Sequence, residues 1–168
     1  MKSAAVATVD TVAGPFTIVV ANDVVIASGW TSSVDEVLEP VAPNLRPESI
    51  ERRTELGGIT AAVRRYNDGD LTAIDDIAVE QHSGPFIETA WDLLRTVPPG
   101  APITYAEFAA KAGRPEAVRA AARACARNSA ALFVPCHRVV RTGGGLGGFR
   151  WGLEIKQRLL DHEAAPPA

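Results

Sequence analysis

Hydrophobic and polar positions alternate along the first third of the chain as they do in strands. Residues 4–9, 16–21 and 24–30 are rich in Val, Ile and Thr, with Gly14-Pro15 and Asn22-Asp23 between them as turn signals. This pattern predicts an antiparallel meander. Residues 36–47 carry several prolines and predict irregular chain. Leu56, Ile59, Val63 and Tyr66 then recur at helical spacing, which predicts a helix over 51–66 ended by Asn67-Asp68-Gly69. Residues 74–79 suit one more strand. A domain boundary is expected at 81–85, with little functional content before it.

Beyond that boundary the period becomes helical. Phe86, Ala90, Trp91, Leu93 and Leu94 share a helix that Pro98-Pro99-Gly100 stops. Thr104-x-x-Glu107 is a capping box, in which hydroxyl and carboxylate satisfy the free N–H groups of a helix start. Gly113 can close that helix, and Pro115 suits the first position of the next. Two short helices joined by Gly-Arg-Pro form a helix-turn-helix candidate. On the second helix Arg119, Arg123 and Arg127 lie at i, i+4 and i+8, while Ala120, Ala122 and their neighbours leave little bulk elsewhere. Such a helix can approach a nucleic-acid backbone closely and read shape more than base edges, or it can be an Ala-rich core helix whose arginines reach solvent.

Composition narrows the class. The 168 residues are 46% hydrophobic and 22% charged, enough for a packed core in one ordinary domain or two small ones. Asp10, Asp23 and Asp35 interrupt the longest apolar stretches, and Lys2 is the only basic residue near the N-terminus. Neither a membrane span nor a signal peptide is predicted, so the expected location is the cytoplasm. The net charge of -3 conceals an asymmetry. Residues 1–83 hold 6 Lys and Arg against 13 Asp and Glu, a balance of -7; residues 84–168 hold 11 against 7, a balance of +4. Between 114 and 150, seven arginines (114, 119, 123, 127, 138, 141 and 150) face the single acid Glu116. All-Arg clusters suit bidentate phosphate or base contacts, although a solvated basic surface has the same composition.

The two cysteines, Cys125 and Cys136, form no CxxC pair, which argues against a structural zinc site and leaves single-thiol chemistry. Cys136 lies in Val134-Pro135-Cys136-His137-Arg138-Val139-Val140. A thiol is only slightly ionised at neutral pH, so nucleophilic work needs a base or a positive environment, and His137 with the surrounding arginines can supply both. Adjacent strand residues face opposite ways, so His137 would need a turn or a bridging water to reach the sulfur. Gly143-x-Gly145-x-x-Gly148 matches a dinucleotide fingerprint, but no βαβ pattern surrounds it. These glycines better suit a tight turn whose backbone approaches a base, with Phe149 and Trp151 as aromatic walls.

The run around Cys136, the upstream helix pair and the downstream glycines resemble, in one register from about Phe86 to Glu163, the O6-alkylguanine-DNA alkyltransferases, or methylated-DNA–protein-cysteine methyltransferases. The resemblance implies an α+β fold. Residues 1–80 would be a small ribonuclease-H-like α/β domain and 84–165 a winged helix-turn-helix-like alkyltransferase domain. Cys136 would accept the alkyl group from guanine O6, or also from thymine O4, once and irreversibly. Glu163 would orient His137, which draws the thiol proton through a water. Asn128 would brace the turn before the active site, and Tyr105 would donate to guanine N3. Arg119 would fill the gap left by the flipped nucleotide, with Ala120, Ala122, Arg123 and Arg127 also at the DNA. Val139, Phe149, Arg150, Trp151 and Cys125 would surround the base.

The implied partner is double-stranded DNA containing alkylated guanine. A monomer is expected without cofactor, metal or membrane, associated with the nucleoid when bound to DNA. The sequence departs from the family pattern at Phe149, usually Tyr; at Ala120-Ala121-Ala122, usually Ala-Val-Gly; at Arg123, often small; and at Ser129, usually Pro. The competing readings are a module that recognises alkylated DNA without transfer, and a thiol hydrolase using Cys136 and His137.

Overall fold

A computed structural model describes residues 2–164; residue 165, the end of the expected second domain, lies outside them. The chain is α+β, with an N-terminal sheet and a mainly helical C-terminal part. Strands β1 (Ser3–Thr11), β2 (Gly14–Ala21) and β3 (Val24–Gly29) form the expected antiparallel meander. Asn22 and Asp23 both take positive φ, at 53° and 65°, the two-residue turn whose twist suits a hairpin. Alternation gives the sheet two buried faces: Val9, Phe16 and Ile18 point to one core, and Val6, Val19 and Ile26 to another. The second face is covered by α1 (Val34–Leu38), whose Val37 is fully buried and whose N-terminus is capped by Ser33.

Three sequence expectations change here. The Pro-rich stretch 36–47 is partly helical, containing most of α1 and a 3₁₀ turn at Pro43–Leu45. Residues 49–52 pair parallel with β1 as β4 (Ser49–Arg52), which completes the sheet order β3-β2-β1-β4. That pairing removes Glu51 and Arg52 from the expected helix. The helix, α2 (Gly58–Asn67), begins only after Gly57 (φ 61°), and buries Val63 and Tyr66 against the first face. Residues 74–79 form no strand: 74–76 are turn, 77–78 irregular, and Val79 alone bridges to β3, at Val25.

The C-terminal part begins with α3 (Pro85–Leu94). Its Trp91 donates its indole N–H to the Ala124 carbonyl at 2.8 Å, fixing it against a later helix. Short β5 (Ile103–Thr104) leads into α4 (Tyr105–Lys111), where the capping box forms as read: Glu107 N–H donates to Thr104 Oγ1 and Thr104 N–H to Glu107 Oε1, each at 3.0 Å. Pro115 is not the first residue of the next helix. It lies in the turn closed by Ala117 N–H on Arg114 O (2.8 Å), and α5 (Val118–Arg127) starts three residues later. Ala121 and Ala124 are fully buried, so α5 sits close against α3 and α4 with its arginines outward.

The chain then passes through a buried segment at 128–134 and a 3₁₀ turn, Cys136–Arg138, into β6 (Val139–Val140), and ends in α6 (Leu153–Ala164). The main core runs across both parts without a break, from Val9 and Phe16 to Leu132, Phe133 and Leu159. Ser28 on β3 joins them directly, its N–H on Ser129 O (2.8 Å) and its hydroxyl on Ala131 O (2.6 Å). No helix among the described residues is long and apolar enough to cross a membrane.

Candidate active site

The 3₁₀ turn over Cys136–Arg138 resolves the geometric difficulty that a strand would have posed. Cys136 is 7% exposed and borders a cavity of about 620 Å³, while His137 turns wholly into the protein. The cavity lies between α4, α5 and the glycine-rich loop. Tyr105, Arg119, Ala122, Cys125, Asn128, Phe149, Arg150 and Trp151 all reach it. Val139 does not: its side chain is fully buried beneath. Arg123 and Arg127 stand exposed on α5, and Ala120 is half-buried there, all three outside the cavity.

Behind the thiol, Glu163 collects donors. His137 Nε2 donates to Oε2 at 2.8 Å, Arg138 Nε to Oε1 at 2.9 Å, Arg138 Nη2 to Oε2 at 3.0 Å, and the Tyr66 hydroxyl to Oε2 at 2.6 Å. Burial alone would raise the Glu163 carboxyl, but His137 and Arg138 outweigh it and hold the group down to about 2. Burial lowers His137 despite Glu163 beside it, because Arg138 already neutralises that carboxylate. A neutral imidazole donating from Nε2 leaves Nδ1 as an acceptor, and Nδ1 is the one buried side-chain polar atom without a partner among the described residues. Burial also pushes the Cys136 thiol up, opposed by the neighbouring Asn128 amide and by the charge of Lys156.

Arg138 therefore does not belong to the basic surface in which its sequence neighbours placed it. It is 2% exposed, paired with Glu163 and bonded to Val97 O at 2.7 Å. Arg150 lines the cavity with its guanidinium already engaged: it bonds Glu36 O, lies 3.6 Å from Glu39, and packs over the Trp151 ring. Trp151 in turn lies against β3, where a Cβ at Gly29 would fall 2.1 Å from the indole Cζ2. Only glycine admits the indole. Similarly, a Cβ at Gly147 would come within 2.9 Å of the Tyr105 hydroxyl, so the loop backbone can close on that phenol. Tyr105 is pushed up to about 12 by burial and the neighbouring thiols, hence protonated and able to donate.

Sequence reading missed three contributors. Lys156 is fully buried, and its ammonium donates to Val139 O (2.8 Å), Leu146 O (2.6 Å) and Gly148 O (3.2 Å), tying the glycine loop to β6. Its signal was present, since Lys156, Leu159 and Glu163 fall on one helical stripe and are buried together. Gln81 accepts Ser129 N–H at 2.9 Å and donates to Asn128 Oδ1 at 2.9 Å. Tyr66, from the half assigned little functional content, touches Glu163 itself. The described residues contain no group of three or more His, Cys, Asp or Glu placed to hold a metal ion.

The family model described as the 6-O-methylguanine DNA methyltransferase DNA-binding domain matches residues 85–165. A methylated-DNA–protein-cysteine methyltransferase of Shigella flexneri is 34% identical over 136 residues, 80% of each chain. The bifunctional transcriptional activator/DNA repair enzyme Ada of Escherichia coli is 49% identical over 79 residues, which are 47% of this chain and only 22% of that protein. Among solved structures, Mycobacterium tuberculosis OGT in complex with DNA superposes with a TM-score of 0.80 at 27% identity, covering 95% of this chain and 92% of that one. The chain belongs to the methylated-DNA–protein-cysteine methyltransferase family.

Proposed function

We propose that this protein repairs alkylated DNA by moving the alkyl group from guanine O6, and also from thymine O4, onto Cys136. The observation that carries this reading is the arrangement of Cys136: a thiol at a cavity of about 620 Å³, beside an imidazole with Nε2 committed to Glu163 and Nδ1 unbonded to any described residue. His137 Nδ1 takes the thiol proton through one water. The sulfur attacks the alkyl carbon, the carbon–O6 bond breaks, and its electron pair goes to guanine, whose N3 receives a hydrogen bond from Tyr105. The thioether is a poor leaving group, so each chain acts once. No cofactor or metal enters these steps.

The partner is duplex DNA, approached by α5. Arg119, Arg123 and Arg127 are exposed along it with Ala120 and Ala122 between, which suits backbone and shape reading. Arg119, alone of the three at the cavity mouth, fills the gap as the damaged nucleotide swings out. Asn128 holds the turn beneath the thiol, and Cys125, Phe149, Arg150, Trp151 and the Val139 backbone enclose the base. The protein works as a monomer of two domains, 1–80 and 84–165.

The test is repair under limiting protein. With O6-methylguanine duplex in excess, restored guanine should plateau at one per chain. Continued turnover would contradict single use, and binding with no restored guanine would favour a damage-recognition module.

A further inference from the structure

Tyr66 ends in an unusual place for a core tyrosine. It is 2% exposed, on the last turn of α2, outside the 85–165 segment that matches the family model. Its hydroxyl donates at 2.6 Å to Glu163 Oε2, the same oxygen that accepts His137 Nε2 at 2.8 Å. The contact is braced from behind: His162 Nε2–H donates to the Tyr66 carbonyl at 2.8 Å, and the two rings meet edge-on at 5.2 Å. The ends of α2 and α6 are thus clasped, and the phenol is held on the carboxylate.

A donor on Oε2 withdraws charge from it. Whatever charge the phenol takes is unavailable to draw a second proton onto His137. We propose that Tyr66 is a positioning residue for alkyl transfer, whose hydroxyl moderates Glu163 so that His137 stays a neutral base with its Nδ1 lone pair available. This inference rests on the reading that Cys136 is the acceptor and His137 its base.

The charges facing His137 are few. Glu163 and Lys156 come from α6, and Arg138 from its own turn. Asp75 acts at one remove, through Arg138 and Glu163. Lys156 and Arg138 both disfavour a protonated imidazole, and Glu163 alone favours it. Tyr66 is the neutral group that adjusts that one favourable charge.

Tyr66→Phe removes the hydroxyl and keeps the ring. Two curves are measured: the methyl-transfer rate from O6-methylguanine duplex against pH, and the titration of the His137 ring followed by NMR on the DNA-free protein. Both are expected to move up by about one pH unit, giving up to tenfold slower transfer on the acid side and a rate within about twofold of the original on the alkaline side. Difluorotyrosine installed at position 66 keeps the hydroxyl and makes it a stronger donor, so it should move both curves the other way; it also serves if the Phe variant does not fold. A uniform loss at every pH, or curves that stay in place in both proteins, would overturn the role. If the unaltered protein transfers no methyl to Cys136, the functional reading fails instead, and the His137 titration still reports on Tyr66.

Discussion

Cys136 shows how little of a site resides in its reactive atom. Burial works against its ionisation, so its chemistry depends on Asn128, Lys156 and His137 around it. Asn128 is itself held, its Nδ2 on Val134 O at 2.7 Å and its Oδ1 accepting from Gln81 and from Ala130 N–H. Ser129 in place of the family's proline now has a physical meaning: its N–H, which proline lacks, donates to Gln81, and its hydroxyl donates to Ile26 O at 2.9 Å on β3. Gln81→Ala should strip two buried groups of a partner and cost about 1–3 kcal/mol, read as a lower urea midpoint. An unchanged midpoint would mean that water replaces the amide without cost.

Trp151 bears on substrate size. Placed against Gly29, its indole both narrows the cavity and docks the loop on β3. Gly29→Ala should displace the indole and change the ratio of benzyl to methyl transfer, and adding Trp151→Ala should abolish that change. If Gly29→Ala leaves the ratio unaltered, the indole does not gate the cavity. The run around Cys136 was legible in the residues themselves, and the Glu163 position came only through the family resemblance that this run carries. The partners Tyr66, Gly29 and Gln81 were legible in neither way, because each meets the site through contacts that no local pattern encodes.

The elements that sequence reading found share one property: their signals are local. The hairpin at Asn22-Asp23 and the capping box at Thr104 need only neighbours a few residues away. Strand β4 escaped because its partner is Ser3–Val6, more than forty residues earlier. The periodicity of Leu56, Ile59, Val63 and Tyr66 did identify core-facing positions, but it could not show that parallel pairing would hold Glu51 and Arg52 extended. On α5 the arginine stripe predicts salt-sensitive DNA binding; Arg123→Ala and Arg127→Ala should each weaken binding similarly across sequences and reduce the logarithmic salt slope by about one. Unchanged slopes would remove them from the interface. Arg119→Ala should slow repair in duplex DNA far more than reaction with the free modified base, because flipping a paired base costs a few kcal/mol. Equal slowing would assign Arg119 elsewhere.

Across the whole molecule, the continuous core and the Tyr66–Glu163–Arg138 cluster make the acidic and basic halves interdependent. Acid should expose this. His137 lies below its ordinary 6.5 and Glu163, at about 2, below its ordinary 4.5. Both groups are depressed in the folded state, so each contributes stability that is complete above its unfolded value and lost as pH falls toward its folded one. The denaturation midpoint should decline below pH 6.5 and more steeply below 4.5, and Glu163→Gln should flatten the lower part. A midpoint insensitive to acid through that range would contradict the linkage. The central claim remains that the buried thiol is the acceptor, and the most direct test is intact-protein mass spectrometry after mixing with O6-methylguanine duplex, followed by peptide mapping. The account predicts a gain of one CH2 per chain, located on Cys136 and absent from Cys136→Ser; no gain, or a gain located on another residue, would contradict it.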